Sequence, residues 1–82
     1  LTIKAYPNPI SGMETVYVDA DVEEELLLNA TIEVYSTSGT KVKEVKVTGR
    51  LTPITLESSS GTYIFRFRGD QGFTKELKVI KK

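Results

Sequence analysis

A period of two organises most of the chain. Thr15 to Ala20 reads Thr-Val-Tyr-Val-Asp-Ala and Thr31 to Ser36 reads Thr-Ile-Glu-Val-Tyr-Ser, so β-branched or apolar residues alternate with polar ones. Successive side chains of a strand point to opposite faces, and this pattern therefore predicts strands with one buried face. Tyr63, Phe65 and Phe67 share one parity and Arg66 and Arg68 the other, which predicts a core strand with aromatics inward and guanidinium groups outward. In the last segment Phe73, Leu77 and Val79 form the inner set, Lys75 is its odd member, and Thr74, Glu76 and Lys78 lie opposite. From Lys41 to Thr48 the apolar parity changes between Val42 and the pair Val45 and Val47. One unpaired residue near Lys43 or Glu44 would produce that change, so a β-bulge is expected there.

Turn chemistry separates these runs at Asn8-Pro9 to Gly12, Ser36 to Gly39, Thr48-Gly49, Ser58 to Gly61 and Gly69 to Gly72. Each puts Gly, Asn or Asp where the backbone is expected to need a positive φ. With Ile3 to Tyr6 and Leu51 to Leu56 added, the chain reads as about seven short strands, the pattern of an immunoglobulin-like antiparallel β-sandwich. Pro53 removes a backbone donor, so the fifth strand is expected at an edge or with a late start. Asp21 to Leu28 is ambiguous: it contains good helix formers, an Asp with Glu three residues on, and Val22 and Leu26 at i, i+4 spacing. A loop running into an extended start of the third strand is the favoured reading, with a single helical turn as the alternative.

Composition narrows the chemistry. At 82 residues the chain is read as one small domain, residues 1–82, with little room for an enclosed substrate cavity. It has no His and no Cys, which removes the Ser-His and Cys-His nucleophile pairs, a disulfide framework and thiolate metal sites. Eleven Lys plus Arg balance eleven Asp plus Glu, giving a net charge of +0 that argues against nonspecific nucleic-acid binding. The longest apolar run is three residues, too short for a transmembrane segment. The opening at Leu1, without a basic-then-apolar leader, is read as that of a piece excised from a longer protein. The charges segregate: residues 1–40 carry Lys4 against seven acids, residues 41–82 ten Lys or Arg against four acids, hence −6 and +6. Folded as a sandwich the two halves interleave, and much of this is expected to cancel locally.

Several short patterns invite a functional reading. Arg68-Gly69-Asp70 has the form of an integrin-binding triplet, but Gly69, Asp70 and Gly72 are what a tight hairpin turn wants in any case. Asp19, Asp21, Glu23, Glu24 and Glu25 could hold Ca²⁺ through oxygens, yet they lack the EF-hand order, and a solvated loop is favoured. Asn29-Ala30-Thr31 fits the N-glycosylation pattern beside a predicted strand. No spacing suggests paired catalytic carboxylates or a phosphate-binding loop. No cofactor or metal is expected, and Lys81 and Lys82 on their own read as a frayed basic tail.

The ends and the turns together resemble one family. Tyr6-Pro7-Asn8-Pro9, Val34-Tyr35 with Ser38-Gly39 and Lys41-Val42, Gly61-x-Tyr63-Ile64-Phe65, and Gly72-x-x-Lys75 leading into Leu77-Lys78-Val79-Ile80-Lys81-Lys82 are similar, in this order, to the C-terminal sorting domain of type IX secretion cargo. The chain departs from the pattern at Ser59, where many members have Pro, at Thr40, and in the length of the acidic stretch. The resemblance implies a non-enzymatic address label, linked to an N-terminal cargo that crosses the periplasm to the outer membrane, cell surface or exterior. It implies the type IX translocon and a sortase-like signal peptidase as partners, the peptidase cutting upstream and often attaching the cargo to anionic lipopolysaccharide. It also implies that Gly72, Lys75, Lys78, Val79, Ile80, Lys81 and Lys82 are read by the machinery, with Gly72 setting the final turn. On this reading the open reading frame ends at or near Lys82. The alternative is an immunoglobulin-like binding or adhesion module of an extracellular protein, and an enzyme is disfavoured by the residue inventory.

Overall fold

The computed structural model describes residues 2–12 and 14–82. Seven strands are present among the described residues: β1 (Thr2–Tyr6), β2 (Thr15–Asp21), β3 (Thr31–Ser36), β4 (Lys41–Lys46), β5 (Leu51–Thr55), β6 (Gly61–Arg68) and β7 (Thr74–Lys81). They form two antiparallel sheets, one in the order β1-β2-β5 and the other β4-β3-β6-β7. The expected all-β sandwich is the fold found.

Alternation sets the core. Ile3, Val16, Val18, Ala20 and Ile54 face inward from the first sheet, and Ile32, Val34, Tyr63, Phe65, Phe67 and Val79 from the second. Ile10, Ala30 and Leu56 close the ends from connecting segments. Thr52 is the buried polar member of β5, and its hydroxyl accepts a hydrogen bond from the Thr48 amide at 3.3 Å. Pro53 lies on β5, which is an edge strand as expected from the missing donor.

Two local expectations need correction. The acidic stretch does form a helical turn, α1 (Glu24–Leu27), rather than an extended approach to β3. Leu27 packs against the core while Glu24 and Glu25 stay in solvent, and Asn29 at φ 59° turns the chain into β3. Asn tolerates this left-handed conformation better than most residues. The bulge in β4 falls at Val42, because Val34 pairs with Lys43 and Tyr35 with Lys41. Val42 is thus extruded, and Lys43 turns inward to donate from Nζ to the Thr55 carbonyl at 2.6 Å. The β6–β7 turn has its expected positive φ at Gly72 (76°), with Gln71 (61°) beside it, while Gly69 lies outside that region. Gly69 serves another purpose: a Cβ there would lie 2.8 Å from the Leu26 carbonyl oxygen, so the absent side chain lets the turn sit against α1.

Candidate functional site

The last strand and the Tyr6-to-Pro9 motif lie at opposite ends of the chain and meet in the fold. β7 pairs with β6 along its full length, from Gly61 opposite Lys81 to Arg68 opposite Thr74. On its other edge, the Asn8 carboxamide donates from Nδ2 to the Lys78 carbonyl at 2.8 Å and accepts at Oδ1 from the Ile80 amide at 2.9 Å. One side-chain amide thus does the work of a peptide unit in a neighbouring strand. Ile10 continues the row, its N–H donating to Ile80 and its carbonyl accepting from Lys82, both at 2.8 Å. Pro7 and Pro9 flank Asn8 and have no N–H to satisfy, which suits a segment that makes its bonds through one side chain.

Parity along β7 divides the candidate residues into two sets. Lys75, Lys78, Ile80 and Lys82 are exposed, with Ile80 at 39%. Val79 is fully buried opposite Tyr63, and Lys81 retains only 7% of its accessible surface. The Lys81 ammonium donates to the carbonyls of Leu56 (2.6 Å) and Ser58, so the strand end is anchored to the β5–β6 connection. The frayed-tail reading of Lys81 is therefore wrong: its stem runs with the inner set and its charge meets two carbonyl dipoles. Gly72 lies in the exposed turn that starts β7.

The remaining motif residues are spread around this centre. Gly61 and Tyr63 lie on β6 beside Lys81 and Val79, and the Tyr63 hydroxyl donates to the Ser59 carbonyl. Gly39 stands apart in the β3–β4 turn at φ 91°. Tyr6 turns to the outer face of the first sheet, where its ring lies 6.3 Å from that of Tyr17. Ile10 was not singled out in the sequence; a lone apolar residue after Pro9 carries no periodic signal.

The outer face of the second sheet is held by charge. Glu33 is buried at its centre, 3.4 Å from both Lys41 and Arg68, and accepts from the Tyr35 hydroxyl. Burial would raise its carboxyl pKa, but the Tyr35 hydroxyl and the Lys41 and Arg68 cations prevail and hold it below the usual carboxylate value. Arg66 binds Glu76 through two nitrogens and stacks over Tyr35 at 5.3 Å. Arg68 of the Arg-Gly-Asp triplet is thus directed to Glu33, and the Gly69 amide donates to Phe73 to close the hairpin. Arg50 draws in Asp19 and Asp21, and no group of three or more acids arranged to hold a metal ion occurs among the described residues. No described helix is long and apolar enough to cross a membrane.

A family model described as a secretion system C-terminal sorting domain matches residues 4–82. No curated protein matches the chain. With the motif-bearing ends joined on one sandwich and essentially the whole chain covered by that model, the chain belongs to the type IX secretion C-terminal sorting domain family and carries a signal that sorts secreted or cell-surface cargo.

Proposed function

We propose that residues 1–82 act as a single, folded sorting unit, and that the machinery recognises it through β7 and the turn before it. In this reading Gly72 shapes the turn, and Lys75, Lys78, Ile80 and Lys82 are the side chains offered to the translocon. Val79 and Lys81 act from inside, holding those four in register. The observation that supports this most is the meeting of the two motif-bearing ends through Asn8 and Ile10 at the outer edge of β7. A receptor-read signal needs a stable shape and exposed groups, and no catalytic one.

The cargo is then released or anchored at the cell surface after a sortase-like peptidase cuts upstream of the domain, in some cases with attachment to anionic lipopolysaccharide. Fusing residues 1–82 behind a reporter in a type IX-competent cell tests the assignment. The intact fusion is expected at the cell surface or in the medium, and deletion of Lys78 to Lys82 is expected to strand an active reporter in the periplasm. Export of the truncated fusion at the parent level would rule out the final strand as the signal.

A further inference from the structure

Neighbouring residues of a strand present their backbone groups to opposite edges. Lys78, Ile80 and Lys82 have their partners on the edge away from β6: the Lys78 and Ile80 carbonyls and the Ile80 and Lys82 amides are taken, in order, by Asn8 Nδ2, Ile10 N, Asn8 Oδ1 and Ile10 O. Thr74 and Glu76 share that parity but have no backbone partner on that side among the described residues. The edge of β7 is therefore capped only over its basic, terminal half. The cap is not a strand. It is one exposed carboxamide and one backbone bridge, from Ile10 to Lys81, supplied by the β1–β2 connection. Asn8 lies in solvent, where water can replace both of its hydrogen bonds, whereas the β6 side of β7 is a continuous ladder.

We propose that Asn8 is a displaceable plug, and that the sorting machinery engages this edge by strand addition along Thr74 to Ile80, an extended backbone segment of the partner pairing with the open Thr74 and Glu76 groups and replacing the Asn8 carboxamide at Lys78 and Ile80, while Ile10 keeps its bonds to Ile80 and Lys82. An edge of this kind presents donors and acceptors at strand spacing, which an added strand reads without regard to its own sequence. The exposed Lys78, Ile80 and Lys82 side chains flank the seat and would favour a segment carrying acidic side chains. The plug keeps the same edge from pairing with other copies before the partner arrives. The inference rests on the reading of β7 as the signal and goes beyond it by naming the backbone edge as the contact.

Three substitutions separate this from recognition of side chains alone. Ile80→Pro deletes the outward N–H and obstructs an incoming strand, while the β6 ladder at Val79 and Lys81 keeps its donors. Ile80→Val keeps the N–H with a similar side chain. Asn8→Ala opens the edge. In reporter fusions carrying residues 1–82, the expected result is export of Asn8→Ala at or above the parent level, and export of Ile80→Pro lower than that of Ile80→Val by about tenfold or more. Amide exchange in the purified domain should show the Ile80 N–H of Asn8→Ala losing protection while those of Val79 and Lys81 keep theirs.

Export of a folded Ile80→Pro domain at the parent level would overturn the proposal, as would equal losses in Ile80→Val and Ile80→Pro, which would mean that the side chain alone is read. Should Ile80→Pro fail to fold by circular dichroism, Asn8→Ala decides. Its loss of export with the fold retained would make Asn8 part of the epitope and not a plug. Failure of the parent fusion to be exported would instead refute the sorting assignment of β7, so the two failures are distinguishable.

Discussion

Lys81 is the residue at which burial and charge meet most directly. Its ammonium saturates the Leu56 and Ser58 carbonyls, so Lys81→Ala leaves two carbonyls short of a donor at the end of the core. The expected cost is about 1–3 kcal/mol, measurable by urea unfolding of the isolated domain, whereas Lys82→Ala, which is exposed, should fall within about 0.5 kcal/mol of the parent. Glu33 adds a pH dependence of known sign. Its folded pKa lies below that of the unfolded chain, so the stability it contributes is complete above about pH 4.3 and is lost as pH falls through the folded value. Glu33→Gln should therefore flatten the acid limb of stability against pH below that point, in denaturant midpoints taken from pH 6 downward.

Elements are joined here by contacts that local patterning does not reveal. The turn after β6 rests on α1 because Gly69 presents only hydrogen to Leu26. Gly69 has φ −105°, which any residue can adopt, so the effect of Gly69→Ala isolates the close approach from backbone strain. A destabilisation of about 1–3 kcal/mol is expected, with thermal unfolding as the measurement, and with local exchange increasing in α1 and the β6–β7 turn. The strands themselves were legible: the inward Tyr63, Phe65 and Phe67 and the alternation of β2 and β3 follow from parity alone. The bulge was legible as an event but not to the residue, because a parity change marks only the interval in which the extra residue lies. The helical turn was not, because four residues of helix are decided by the packing of Leu27 and not by propensity.

The whole molecule is small enough for single core positions to govern it. Phe65 is fully buried at the centre of the second sheet, and Phe65→Ala is expected to cost about 3–5 kcal/mol. A domain of 82 residues has about 4–12 kcal/mol in total, so the loss is a large share of it and should bring the midpoint of urea unfolding, followed by circular dichroism, well below the parent's. Charge behaves at this scale as the interleaving argument requires. Lys41 and Arg68 meet Glu33, and Arg50 meets Asp19 and Asp21, so bases of the second half of the chain neutralise acids of the first. The sequence by itself determined the class of fold, the strand count, the edge position of β5 and the family, because periodicity, turn residues and ordered motifs are properties of neighbours along the chain. It could not determine that Asn8 grips β7, that Ile10 enters the core or that Lys81 is buried beneath Leu56 and Ser58. Those contacts join residues 23 to 72 positions apart, and only the closing of one sheet over the other brings their donors and acceptors within hydrogen-bonding reach.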